Sequence, residues 1–300
     1  MGAPTNAYQT YQAIGNREDL IDVITMISPT KTPVLSMTAS TRATSTLHEW
    51  LTDTLASPTA NAQIEGNDAT ATAVTAPTRL NNYCQILDKK FIVTETQEAV
   101  EKAGRASELG WQIQKSLKEL ANDIEYAFVV NSAAASGASG TARQLKGLAG
   151  FVTTNISSAT ANRSLTSTIL DALLQTVWAA GGDPDVILTG GAQKIAFNNT
   201  TNFPGLTKNT TAEDKRFTSS VDVYESPFGV MKLILSHVMN ANLANQIFAL
   251  EMAKFRKAWL RPIKQYDLAR TGDAQKKLIV AEVTLESLNE KASGVVKNLS

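Results

Sequence analysis

Residues 96–130, TQEAVEKAGRASELGWQIQKSLKELANDIEYAFVV, decide how the rest of the chain is read. Small or apolar residues recur at Ala99, Ala103, Ala106, Gly110, Ile113, Leu117, Leu120, Ile124 and Ala127, and Val100, Leu109 and Phe128 widen the stripe, so the spacing predicts a helix with one buried face. The opposite face is charged, with Glu101, Lys102, Arg105, Glu108, Lys115, Lys118, Glu119 and Asp123. Glu98 and Lys102, like Glu101 and Arg105, stand at the supportive acid-before-base spacing. Thr94 with Gln97 forms a capping box that places the helix start close to Thr96. Such a helix is roughly 52 Å long, whereas a compact domain of this size has a radius of gyration of about 19 Å. It would cross most of the molecule, which implies a flat or elongated body. A bundle helix is the plainer reading, but the sequence holds no second helix of matching length.

The chain has 300 residues, 43% of them hydrophobic, enough for a sizeable core and for two lobes. Lys plus Arg and Asp plus Glu each number 28, so no global charge directs the chain to nucleic acid, anionic lipid or an acidic substrate. The single cysteine, Cys84, excludes an internal disulfide and a cysteine-based zinc cage, and in a strand-like run it reads as a small packed hydrophobe. Met1 to Thr10 lacks the features of a secretory signal, and no apolar run is long enough to span a bilayer, so no membrane partner is expected.

Outward from the helix, residues 1 to 15 read as an extended arm, followed by an apolar turn at Leu20, Ile21, Val23, Ile24 and Ile27 and an extended Pro29–Pro33 segment. Thr44 to Leu51 and Tyr83 to Thr94 read as strands. Between them, Ala56 to Thr78 is mostly Ala, Thr, Asn and Ser, with only Ile64 and Val74 as large aliphatics, and cannot form a core of its own. Two readings stand: disorder, or a long two-stranded arm that becomes ordered on a neighbouring subunit. From Ala43 to Thr78 there is no Lys or Arg, while Glu49, Asp53, Glu65 and Asp68 make the segment acidic. Ser132 to Gly140 reads as a flexible hinge. Strand and helix alternation from about 164 to 238 predicts an α/β lobe, after which the chain returns to the first lobe.

A search for catalysis finds little. His48 and His237 lack partners at ligand spacing, and no nucleophile elbow, Walker A or dinucleotide fingerprint occurs. No cofactor is expected. Leu188 to Lys194, a strand running through Gly190-Gly191 into a helix, is the nearest thing to an anion site, and any tight turn wants glycine there. Lys254 to Lys277 is a local basic patch with Phe255, Trp259 and Tyr266 interleaved. It reads as a solvated strand face, a single-stranded nucleic-acid surface, or a seat for the acidic arm of another copy.

Several of these segments together carry a resemblance. They are Ile27 to Pro33, Ala43-Thr44 with Thr46 to Trp50 and Asp53, Glu65-Gly66, Arg79, Tyr83, Gln85-Ile86, Thr96 to Val100, Ala103 to Arg105, and Glu108-Leu109. In combination they resemble the major capsid proteins of tailed bacteriophages, closest to the family of the SU-ten phage capsid protein with the Hong Kong 97-type fold. The motifs cover about the first 150 residues, and the remainder agrees in layout only.

The resemblance implies an α+β fold with an N-terminal arm at 1–43, an extended two-stranded loop at 44–93, a peripheral domain on a spine helix at 94–163, an axial domain at 164–238 and a return to the peripheral domain at 239–300. The implied function is a non-enzymatic shell protein that assembles as pentamers and hexamers into an icosahedral head, in the host bacterial cytoplasm, around double-stranded DNA. Implied partners are further copies of the chain, scaffolding, portal and decoration proteins, and DNA through non-specific contacts. The expected interface residues are Glu49, Asp53, Glu65 and Asp68 on the arm and Arg256, Lys257, Arg261 and Lys264 on the basic strand. A nanocompartment shell of the encapsulin kind and a nucleotide-binding α/β enzyme using Gly190-Gly191 are the alternatives.

Overall fold

The computed structural model of the protein describes residues 28–68, 71, 73–199, 201–203 and 222–300. The arm expected at 1–15 and the apolar turn at 20–27 therefore lie outside the described residues. In chain order, α1 (Pro33–Met37) and β1 (Ala39–Arg42) lead into a hairpin of β2 (Leu47–Thr52) and β3 (Thr78–Tyr83). β4 (Gln85–Thr94), α2 (Glu95–Ala99), α3 (Glu108–Val130) and α4 (Leu148–Phe151) follow. Next come β5 (Ile156–Ser157), α5 (Ser167–Ala179), β6 (Val186–Thr189), α6 (Gly191–Phe197), β7 (Val223–Ser226), β8 (Gly229–Leu235), α7 (His237–Asn242) and β9 (Ile247–Leu250). The long pair β10 (Phe255–Asp267) and β11 (Ala274–Ser287) precedes β12 (Gly294–Val296).

The single helix expected from Thr96 to Val130 is two helices with a break at 100–107, so the spine is 23 residues long, about 34 Å at the usual rise. The first part starts where the capping box places it, with Thr94 Oγ1 accepting from the Gln97 amide at 3.3 Å. Val100, extended at φ −71° and ψ 139°, takes the chain out of helical geometry, and Gly104 at φ +78° holds the connecting turn in the left-handed region. Lys102 folds back to donate to the Glu98 carbonyl (2.8 Å), and Ser107 restarts the helix by accepting from the Gly110 amide at 3.0 Å. Glu98 completes the new N-terminus by accepting from the amides of Glu108 and Leu109. A stripe built on Ala99, Ala103 and Ala106 is apolar but carries neither of these signals. Leu117, placed on the buried stripe, is 38% exposed.

Leu120, Ile124, Ala127 and Phe128 of α3 are buried and pack on Leu87 of β4 and on Ile279, Ala281 and Val283 of β11. Those strands belong to a four-stranded sheet ordered β1-β10-β11-β4. The same core includes Val186, Leu188, Phe248, Leu250 and Met239, so α3 also supports a second, six-stranded sheet ordered β5-β12-β9-β6-β8-β7. The other face of that sheet, through Ile187, Ala249, Met231 and Leu233, packs on Leu170, Leu173, Leu174 and Val177 of α5. β6 and β9 are buried at every residue because both faces are covered, which is why they read as unbroken apolar runs.

The second sheet extends past the expected 164–238 lobe. It also takes Ile156–Ser157, Ile247–Leu250 and Gly294–Val296, so the chain returns to the first sheet only at Phe255 and leaves it again before the C-terminus. Nor is Ser132–Gly140 a free hinge. Ala135 bridges Gln144 and Ala138 bridges Thr141 in a small hairpin, anchored by Arg143 Nη2 on the buried Glu282 carboxylate at 2.5 Å.

A buried acid joins the entering chain to the spine. Glu125 is fully buried, and its oxygens accept from the amides of Val34 (3.0 Å) and Leu35 (2.7 Å), supplying the cap that Thr32 does not give to α1. Burial pushes this carboxyl above the ordinary carboxylate range, outweighing the two N–H bonds that favour its charged form. The native state therefore keeps the proton to higher pH than the unfolded chain. Its stabilising contribution is present below the ordinary range and is lost as the pH rises through the raised value. Glu125→Ala is expected to lower stability by about 2–3 kcal/mol in denaturant unfolding by stranding two amides, and Glu125→Gln by about 1 kcal/mol. The gap between wild type and Glu125→Gln should narrow as the pH is raised above the ordinary carboxylate range.

Candidate assembly interface

The extended loop is two-stranded only at its root, where Leu47 to Thr52 pairs with Tyr83 to Thr78 in antiparallel register. β3 lacks the alternation that marks a strand, so Thr78-Arg79-Leu80-Asn81-Asn82-Tyr83 does not stand out from the polar run before it. Beyond it, the described residues of 53–77 carry no strand and are exposed, with Leu55 at 100%, Ile64 at 79% and Val74 at 96%. Their hydrogen bonds stay within the segment, as in Asn67 Nδ2 to Gln63 Oε1 at 2.7 Å. These three large aliphatics are solvated singly, on a segment with no core of its own.

The expected interface residues separate into two groups. On the loop, Glu49 lies 3.7 Å from Arg79 across the hairpin, and Asp53 accepts from the Thr54 amide at 2.8 Å. Glu65 and Asp68 are exposed with no ion-pair partner among the described residues. On the strand, Arg261 Nε donates to Glu282 Oε2 at 2.8 Å and Lys257 Nζ donates to the Leu35 carbonyl at 2.6 Å. Desolvation holds the Lys257 ammonium below its ordinary range. Both cations have a partner within their own chain, although the Arg261 side chain is still 47% exposed. Arg256 and Lys264 remain exposed and unpaired among the described residues.

Sequence reading missed the acids responsible. Glu282 and Glu286 alternate with Val283 and Leu285 along β11, on the sheet face away from α3, and both are buried. The alternation is visible in the sequence, but the partners Arg143, Thr41 and His48 are far away in it, and Arg261 comes from the preceding strand.

The groups weighed for chemistry are likewise occupied. The Gly191 amide donates to Asn240 Oδ1 at 3.0 Å, and a Cβ on Gly190 would come within 3.2 Å of the Asn240 Cα. Close packing against α7 accounts for glycine at position 190. Burial pushes the Cys84 thiol up to about 11, as suits a packed side chain. Among the described residues no group of His, Cys, Asp and Glu is arranged to hold a metal, and no helix is long and apolar enough to cross a membrane.

The SU10 major capsid protein family matches residues 3–300. A major capsid protein of Escherichia phage Phieco32 is 28% identical over a 348-residue alignment that covers 99% of this chain and 97% of the relative. Among solved structures, the capsid asymmetric unit of cyanophage A-1(L) matches with a TM-score of 0.71 at 13% identity, covering 97% of this chain and 98% of that one. The SrpI encapsulin complex of Synechococcus elongatus PCC 7942 matches with 0.60 at 12% identity, covering 95% and 93%. Matches at such identities show a shared fold, here the Hong Kong 97-type shell fold. The chain belongs to the SU10 major capsid protein family, the major capsid proteins of tailed phages.

Proposed function

We propose that this chain builds an icosahedral phage head from pentamers and hexamers, encloses double-stranded DNA through non-specific contacts, and assembles in the host bacterial cytoplasm with scaffolding and portal proteins. The observation that carries this reading is a body with its own core from which a coreless, solvent-exposed and acidic loop extends. Such a loop gains its contacts from a further copy. The role is non-enzymatic, a reading supported by the internal engagement of the Gly190-Gly191 turn, His48 and Cys84. Decoration proteins are named with the capsid of phage G, another shell of this fold, which is why an outer partner belongs to the proposal.

The encapsulin match favours a second reading, a nanocompartment around protein cargo. Electron microscopy of the assembled particle together with its nucleic-acid to protein ratio separates the two. A DNA-filled head supports the first, and a nucleic-acid-free shell with enzyme cargo supports the second.

Within the head, Glu49, Asp53, Glu65 and Asp68 are proposed to face a neighbour's basic strand, with Arg256 and Lys264 as the available cations. Such pairing sets register and encounter rate more than bulk affinity. The double reversal Glu65→Lys, Asp68→Lys should cut particle yield strongly while shifting subunit stability by less than about 0.5 kcal/mol, as exposed substitutions do. Particle counting by microscopy and thermal unfolding of the subunit check the two halves. Unchanged yield would remove the charge pairing and leave the family assignment standing. Arg261→Ala should lower subunit stability by about 1 kcal/mol through loss of its bond to buried Glu282, whereas Lys264→Ala should alter assembly alone.

A further inference from the structure

The hairpin β2–β3 is joined to the body by side chains. Neither strand is hydrogen-bonded into the four-stranded sheet, yet one face of its root is pinned at three points. Asn82 is fully buried and its amide group is used completely. Nδ2 donates to the carbonyls of Lys146 (2.9 Å) and Leu285 (2.8 Å), and Oδ1 accepts from the amides of Lys146 (2.8 Å) and Tyr83 (3.0 Å). A buried amide with every donor and acceptor met has a single orientation, because any rotation strands polar groups away from water. Asn82 thereby ties β3, the segment after the spine helix and β11 into one unit.

Directly across the hairpin from Asn82 stands His48. Its Nε2 lies 2.5 Å from Glu286 Oε1, an acid that also accepts from the Thr41 hydroxyl at 2.9 Å. Two residues on, the Trp50 indole N–H donates to the Ser287 carbonyl at 2.9 Å, and its ring lies 6.3 Å from Phe151. All three side chains meet the body at β11 or beside it. Past Thr52 and Thr78 no comparable tie to the body exists among the described residues.

We propose that Asn82 is the positioning residue that fixes the angle at which the loop leaves the body, with Trp50 and His48 as its supports. Copies in different lattice positions then share one root geometry and differ only beyond Thr52 and Thr78. This inference rests on the shell reading, since a fixed angle matters only where the loop must meet a neighbour.

The test uses the full chain with Asn82→Ala, Asn82→Asp and the milder Trp50→Phe, which removes one N–H and keeps an aromatic ring. Val177→Ala, in α5 and in the other core, serves as a control for general destabilisation. In the Asn82 variants amide exchange at 47–52 and 78–83 should rise by about tenfold or more, and particles should become irregular in diameter or fail to close. The control should keep regular particles and an unchanged root. If the Asn82 variants do not fold, Trp50→Phe should show the same local rise at smaller size. Regular particles with unchanged root exchange in Asn82→Ala would overturn the proposal. In wild-type particles, symmetry-distinct copies superposed on the two sheets should coincide at 47–52 and 78–83 and diverge within 53–77. A bend at 43–47 or 83–85 would equally overturn it, whereas a wild-type chain that forms no shell would overturn the underlying reading instead.

Discussion

One helix face holds the molecule together. Leu120, Ile124, Ala127 and Phe128 of α3 lie in a core that takes in Leu87, Ile279 and Val283 from one sheet and Val186, Leu188 and Phe248 from the other. Each fully buried aliphatic side chain contributes roughly 1.5–3 kcal/mol before ordering entropy is subtracted. Neither sheet can move on the spine without opening that shared core. A rigid two-sheet plate is a suitable tile, because close-packed interiors transmit geometry from one edge to another instead of absorbing it.

Buried acids then determine which charges are available at the surface. Glu125 holds the turn at Val34 and Leu35, Glu282 takes up Arg143 and Arg261, and Glu286 meets His48 and Thr41. Each is satisfied by partners distant in sequence, so each locks a segment onto the body. The neutral total charge conceals a division of labour in which cations of the basic strand are partly internal, while Glu65 and Asp68 stay in solvent on the loop.

Much of this was legible in the sequence, and the exceptions have physical reasons. The apolar stripe located the spine, the poverty of aliphatics between Ala56 and Thr78 located the coreless loop, and Cys84 behaved as a packed hydrophobe. The break at Gly104 and Ser107 was hidden by alanines that fit the stripe without needing helix, and the capping residues outweighed the periodicity. The return of Ile247–Leu250 and Gly294–Val296 to the second sheet depends on pairings over long sequence separation that no local pattern encodes, whereas Arg261 meets Glu282 directly across the consecutive strands β10 and β11. For the same reason Asn82 was invisible: an Asn in a polar run looks like surface until the carbonyls around it are placed.

The central claim is that the loop at 53–77 finds its contacts in sister copies. Amide hydrogen exchange compared between intact particles and dissociated subunits tests it most directly. Exchange across 53–77 should slow by about a hundredfold or more in the particle while the core strands β6 and β9 remain unchanged. Equal exchange of 53–77 in the two states would contradict the account.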